Sequence, residues 1–195
     1  MQKLPRQFYA RDTLAVARDL LGQHLVRVLP DGTPLICRIT ETEAYVGRMD
    51  KACHAYGYRR TARTQTMFSR PGTAYIYLIY GLYCCLNLVT EAEGEPCAVL
   101  VRGAQPIENG DIIANLRSAR KGMGTKIPAR HLLDGPGKLC MGLGLTRAQN
   151  GLDLLGNELF LSPAPKPAHI LTGKRIGIGY AEEAIDFPWR FWTED

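Results

Sequence analysis

The sequence predicts an α+β fold: a single compact domain in which a mixed, mainly antiparallel, curved β-sheet carries flanking helices and one protruding β-hairpin. Three observations lead there. Of the 195 residues 46% are apolar, a size and content that fit one core without covalent staples. Short β-branched and aromatic runs recur between Gly, Pro, Asn and Asp turn signals. Helical spacing is confined to a few brief stretches.

Asp12 or Thr13 caps a first helix whose apolar positions Leu14, Ala17 and Leu21 recur at helical spacing, with Gly22 as its stop. Residues 24–29 and 35–45 read as strands joined by the turn Pro30-Asp31-Gly32-Thr33, a hairpin. Residues 50–70, with Arg59, Arg60, Arg63 and Arg70, read as a long basic loop ended by Pro71-Gly72. A second hairpin follows, residues 73–79 and 84–90 around Tyr80-Gly81-Leu82-Tyr83, and then a short apolar strand at 98–102. Residues 111–119 form a helix, and Arg117, Arg120, Lys121 and Lys126 make the next stretch basic. Asp134-Gly135-Pro136-Gly137 opens a helix at Lys138. Short strands at 152–161, 175–180 and 189–192 complete the chain, with a Pro-rich surface loop at 162–167.

The formal net charge of +5 fits a nucleic-acid binder and equally an ordinary enzyme. Cys37, Cys53, Cys84, Cys85, Cys97 and Cys140 form no zinc-finger or Cys-x-x-Cys spacing and read as small buried hydrophobes of a reduced, intracellular protein with no metal. Neither a signal peptide nor a membrane span is expected. Gly177-Ile178-Gly179 lacks the third glycine of a dinucleotide loop, and Leu139 stands where a P-loop needs Ser or Thr. What remains is carboxylate, arginine and aromatic chemistry.

Two segments concentrate it. In Glu41-Thr42-Glu43-Ala44-Tyr45, residues two apart share a strand face, so Glu41, Glu43 and Tyr45 point the same way. The bland alternative is a solvated edge strand. In residues 75–83, Tyr75 and Tyr77 share a face and Tyr80 sits at the turn, where an aromatic is placed to wedge between base pairs; Tyr45 and Tyr77 suit stacking on a base. The alternative there is aromatic packing within a sheet. Arg102, after an apolar run, either reaches solvent or pairs with a carboxylate. Asn87, inside an apolar strand, is either a structural hydrogen-bonder or a reader of a ligand edge.

With these residues in view, the sequence resembles the 3-methyladenine (alkyladenine) DNA glycosylase family. The matching blocks are residues 41–45, 50–54, 67–68, 71–87, 98–102, 135–139, 175–181 and 188–191, in family order along nearly the whole chain. The resemblance implies that Glu43 activates water and Arg102 helps hold it. It implies a base pocket of Tyr45, Tyr77, His54 and Asn87, the last testing purines for the amino group of guanine. It implies that Tyr80 fills the gap left by the extruded nucleotide, with Leu82 and Tyr83 beside it at the tip. Residues 135–138, with Gly137 and Lys138, resemble a backbone-contacting segment, and Arg59, Arg63 and Lys121 are further phosphate candidates. The basic loop departs from many members at Ala62 and Thr64, and Gly103 stands where Ala is frequent.

The implied partner is double-stranded DNA carrying damaged purines, acted on by a monomer without a cofactor, wherever the cell keeps its DNA. Extruding a nucleotide costs a few kcal/mol, and less at damage. One carboxylate beside the anomeric carbon suffices when the leaving base is already cationic, while neutral bases such as hypoxanthine need a proton or hydrogen bond. No lysine suggests Schiff-base chemistry, so an abasic site without strand cleavage is expected. Glu41, on the same face, leaves a two-carboxylate sugar hydrolase conceivable; it is taken as structural. The alternatives are a catalytically silent damaged-DNA or RNA binding module and a tRNA-modifying formyl transferase.

Overall fold

A computed structural model describes residues 1–119 and 127–194. Its strands are β1 (His24–Val28), β2 (Pro34–Val46), β3 (Ala74–Ile79), β4 (Tyr83–Thr90), β5 (Cys97–Glu108), β6 (Leu159–Ser162), β7 (Leu171–Gly173) and β8 (Arg190–Trp192). All belong to one antiparallel sheet of order β3-β4-β5-β2-β1-β6, with β8 joining β2 and β7 joining β8. The helices are short: α1 (Arg6–Tyr9), α2 (Thr13–Asp19), α3 (Gly110–Ser118) and α4 (Pro136–Gly142). The α+β domain expected from the sequence is what the chain forms.

Strict alternation builds the site half of the sheet. Ala74, Ile76, Leu86, Leu88, Val99, Val101 and Ala44 point to one face and join the main core with Val16, Ala17, Leu20, Leu21 and Leu139. That face is closed by α2 and α4. The intervening residues point the other way, where the long loop after β2 folds back and packs Cys53, Ala55, Met67 and Phe68 on Tyr75, Val89 and Ala98. Strands covered on both faces read as continuous apolar runs, which is why residues 97–101 show no amphipathic pattern. Asp12 caps α2 as expected, accepting from Ala15 N–H at 2.9 Å.

Several expectations are corrected. The 41–45 segment is no solvated edge: β2 is paired with β5 on one side and with β1 and then β8 on the other. The strand at 98–102 continues to Glu108, because bulges in its pairing with β2 accommodate the strand breakers Gly103 and Pro106. Of residues 152–161 only the last three are strand, within β6. Residues 175–180 form a loop rather than a strand: the buried side chain of Arg175 and the left-handed Gly177 (φ 76°) turn the chain away from the sheet. Helix α1 gave no periodic signal, being one turn long.

Candidate active site

Register lines up one row of side chains across four strands. Glu43 pairs with Leu100, Leu100 with Asn87, and Asn87 with Tyr75. The neighbouring rows on the same face carry Tyr45 with Ala98 and Tyr77 with Cys85. All of these except Glu43 line a cavity of about 310 Å³ whose rim takes in His54, Arg63, Tyr80, Pro136, Ile176 and Tyr180. Cys85 lines it while its neighbour Cys84 faces a groove on the opposite side, as adjacent strand residues must.

Glu43 is fully buried and forms no part of the cavity surface; Tyr45, Leu100, Arg102 and Ile176 make the wall in front of it. Its Oε2 accepts from the Tyr45 hydroxyl at 2.7 Å and its Oε1 from the Ile176 N–H at 2.8 Å. Arg102 Nε lies 3.4 Å from Oε1, the longest of these contacts. Burial pushes the Glu43 carboxyl above the ordinary range, opposed by the Arg102 charge and the two hydrogen bonds. Between the pairs Glu41–Gly103 and Thr42–Val101, Arg102 is the residue that β5 carries in excess. This bulge aims its guanidinium between two carboxylates, and Nε also donates to Glu41 Oε1 at 3.0 Å. Glu41 is held from the far side by Arg190 at 2.5 Å. It serves as counter-ion to two arginines, which removes the basis for a two-carboxylate hydrolase.

The aromatic wall is closely packed. Tyr75 is buried and its ring lies 5.4 Å from that of Tyr77, centroid to centroid, so packing and pocket-lining coexist in one hairpin. His54 meets Tyr77 edge to face at 4.6 Å, and its Nδ1 is 3.2 Å from the Tyr75 hydroxyl. Burial, then the Arg63 charge, lowers its pKa to about 4, so the imidazole is neutral at physiological pH. Asn87 is buried, its Nδ2 donating to the carbonyls of Tyr75 and Cys85 at 3.1 and 3.4 Å. Those two bonds fix the amide plane, and the residue is at once a structural hydrogen-bonder and part of the cavity lining.

At the tip of the β3–β4 hairpin, Tyr80 and Gly81 both have positive φ (53° and 67°), and Leu82 N–H donates to the Ile79 carbonyl at 3.1 Å. The pairing of Ile79 with Tyr83 leaves three residues at the tip, Tyr80, Gly81 and Leu82, of which the first two hold the left-handed conformation that Gly and, among residues with side chains, Asn adopt most readily. Tyr80 is 84% exposed and Leu82 61%. Tyr83 leans on the start of α4, where a Cβ on Gly137 would come within 3.1 Å of it.

The proposed phosphate contacts have separate fates. Arg59 is exposed. Lys138 is exposed too, with its ammonium 2.8 Å from Asp134. Arg63 turns into the cavity mouth, 3.3 Å from His54 Nε2 and over the Tyr77 ring. Lys121, with Arg120 and Lys126, lies outside the described residues. Sequence reading missed the loop contribution altogether: Ile176 gives a main-chain donor, which no side-chain pattern reveals. Among the described residues no group of His, Cys, Asp and Glu could hold a metal, and no helix is long and apolar enough to cross a membrane.

Comparison with known proteins adds an independent line. A family model described as methylpurine-DNA glycosylase matches residues 7–195. A protein of Methanocella arvoryzae is 50% identical over 197 aligned residues, covering 100% of this chain and 94% of its own length. One from Alkaliphilus oremlandii is 47% identical, covering 99% and 96%, and one from Desulfitobacterium hafniense 45%, covering 100% and 97%. All three are provisionally named 3-methyladenine DNA glycosylases.

Proposed function

The chain belongs to the methylpurine-DNA glycosylase family, and from that premise we propose that this DNA glycosylase receives an everted, damaged purine in the aromatic cavity and hydrolyses its glycosidic bond with water activated by Glu43. The observation that carries this reading is a buried carboxylate directly behind the wall of an aromatic cavity, held by three donors that favour its ionised form.

Tyr45, Tyr77 and neutral His54 offer faces and edges for a flat heterocycle, and the fixed Asn87 amide meets its polar rim. Tyr80, exposed at the hairpin tip, fills the gap in the duplex, with Leu82 and Tyr83 against the adjoining bases. The long Arg102–Glu43 contact is the one that opens: a water entering from the cavity between them accepts from Arg102 and donates to Glu43. As the bond from C1′ to the purine nitrogen breaks, its electron pair leaves with the base. The water oxygen bonds to C1′ and its proton passes to Glu43, leaving an abasic site. A purine alkylated at N3 or N7 departs as a neutral molecule, which suits a site whose neutral histidine is no general acid. Etheno-adenine and hypoxanthine belong to the wider substrate class, released by hydrogen bonding within the pocket. The exposed Arg59 and Lys138 contact phosphates, and the enzyme acts as a monomer with no cofactor.

The deciding experiment is base release from duplexes carrying single lesions by Glu43→Gln. The variant keeps the shape and can still accept from the Ile176 N–H through its single amide oxygen, with its NH2 facing the Tyr45 hydroxyl oxygen, so duplex binding persists while release falls by about 10²-fold or more, on the order expected for losing a general base. Release at the wild-type rate would remove Glu43 from the reaction. A wild type that binds damaged duplex and frees no base would favour a silent binding module.

A further inference from the structure

A fully buried ion pair joins two loops 125 residues apart. Arg175 meets Asp50 with both arms of its guanidinium, Nη1 to Oδ2 at 2.5 Å and Nη2 to Oδ1 at 2.7 Å, and neither side chain is exposed. Asp50 also accepts from the amides of Val46 and Ala52. Arg175 donates further to the carbonyls of Ala44 (2.8 Å) and Ala184 (3.3 Å), and its guanidinium lies over the rings of Tyr45 and Trp189 at 4.7 and 5.1 Å.

These contacts surround Glu43. Ala44 follows it in β2, Tyr45 supplies one of its hydrogen bonds, and Ile176, the residue after Arg175, supplies another. We propose that Arg175, neutralised by Asp50, is the positioning residue that aims the Tyr45 hydroxyl and the Ile176 amide at Glu43, and so sets the pH above which Glu43 is a competent base. The inference rests on Glu43 acting as that base. A planar fork is what the role requires: it binds a carboxylate with two arms, reaches a carbonyl and stacks on a ring at once, where an ammonium is a point charge. The charged and titratable groups facing Glu43 are Glu41 and Tyr45 on its own strand, Arg102 on β5, Arg190 on β8, and Arg175 with Asp50 from the loops. Glu41 is occupied by Arg102 and Arg190. Asp50 cancels the Arg175 charge, so the pair acts on Glu43 through the donors it places.

Arg175→Lys keeps the buried charge balance and loses the fork. Three quantities test it: the titration midpoint of the Glu43 carboxyl carbon in glutamate-labelled protein, assigned with Glu43→Gln; single-turnover base release against pH; and duplex binding. Loss of a hydrogen bond to the ionised carboxylate should raise the midpoint by about one pH unit and carry the acid limb of release with it. Binding to undamaged duplex should stay within roughly twofold, since no group assigned to the phosphate backbone changes. An unmoved midpoint, whatever the rate, overturns the inference. If Arg175→Lys does not fold, the double variant Asp50→Asn/Arg175→Gln, which removes both charges together, must show the same upward shift. Failure of both to fold would make the pair structural and overturn it as well. If Glu43→Gln released base normally, the reading of Glu43 would fall while the midpoint still judged Arg175.

Discussion

Tyr80→Asn separates stability from DNA recognition. Tyr80 holds a left-handed conformation (φ 53°) at the head of its turn, which costs an ordinary L-residue roughly 1–2 kcal/mol and Asn much less. At 84% exposure the ring gives little back: a covered area on the order of 30–40 Å² is worth about 0.8–1 kcal/mol at ~25 cal/mol/Å². The substitution also puts Asn-Gly at the two left-handed positions, which these residues tolerate best. The free protein should therefore gain on the order of 0.5 kcal/mol, a rise in Tm of about 1–2 °C. Recognition should move the opposite way: removing an aromatic anchor from a contact costs about 2 kcal/mol, close to 30-fold in affinity. That loss should fall on lesion-containing duplex and spare undamaged duplex. Calorimetry and paired binding titrations provide the readout. A fall in Tm of more than about 3 °C would show Tyr80 to be a packing residue, and equal losses on both duplexes would show that it is no wedge.

His54→Gln tests the electrostatics of the wall. The folded imidazole titrates at about 4, below the 6.5 of a free histidine. Between those values the unfolded chain takes up a proton that the folded site refuses, so stability present above pH 6.5 is lost as pH falls toward 4. Melting curves across that window should be flatter for the variant, and parallel curves would refute the assignment. Gly47→Ala tests the frame that carries Asp50: a Cβ there would lie 2.4 Å from the Pro96 carbonyl oxygen, to which Gly47 itself donates at 3.1 Å. Overpacking of this kind costs about 1–3 kcal/mol in urea unfolding; a neutral effect would mean that the two chains separate freely.

Much of the site was legible because strand periodicity is local. Tyr75 and Tyr77 share a face because they are two apart, and so do Glu43 and Tyr45; the structure places these two pairs on one sheet face. The tip was legible because Tyr80-Gly81 follows one strand and precedes another. The strand at 98–102 was read too short, because beyond its apolar run it continues through Gly103 and Pro106, which β5 absorbs in bulges. The Ile-Gly alternation of residues 175–180 imitated a strand, although its amide at Ile176 goes to a side chain rather than to a neighbouring strand.

By itself the sequence determined the class of fold, the strands that carry the tyrosines and which side chains share a face, since these follow from spacing along the chain. Only the tertiary structure decided that Glu43 sits sealed behind Tyr45 and Arg102, that Glu41 is spent on two arginines, and that Asp50 and Arg175 meet. Charges so far apart in sequence pair only after the core has brought their loops together, and a carboxylate's burial depends on which loops come to cover it.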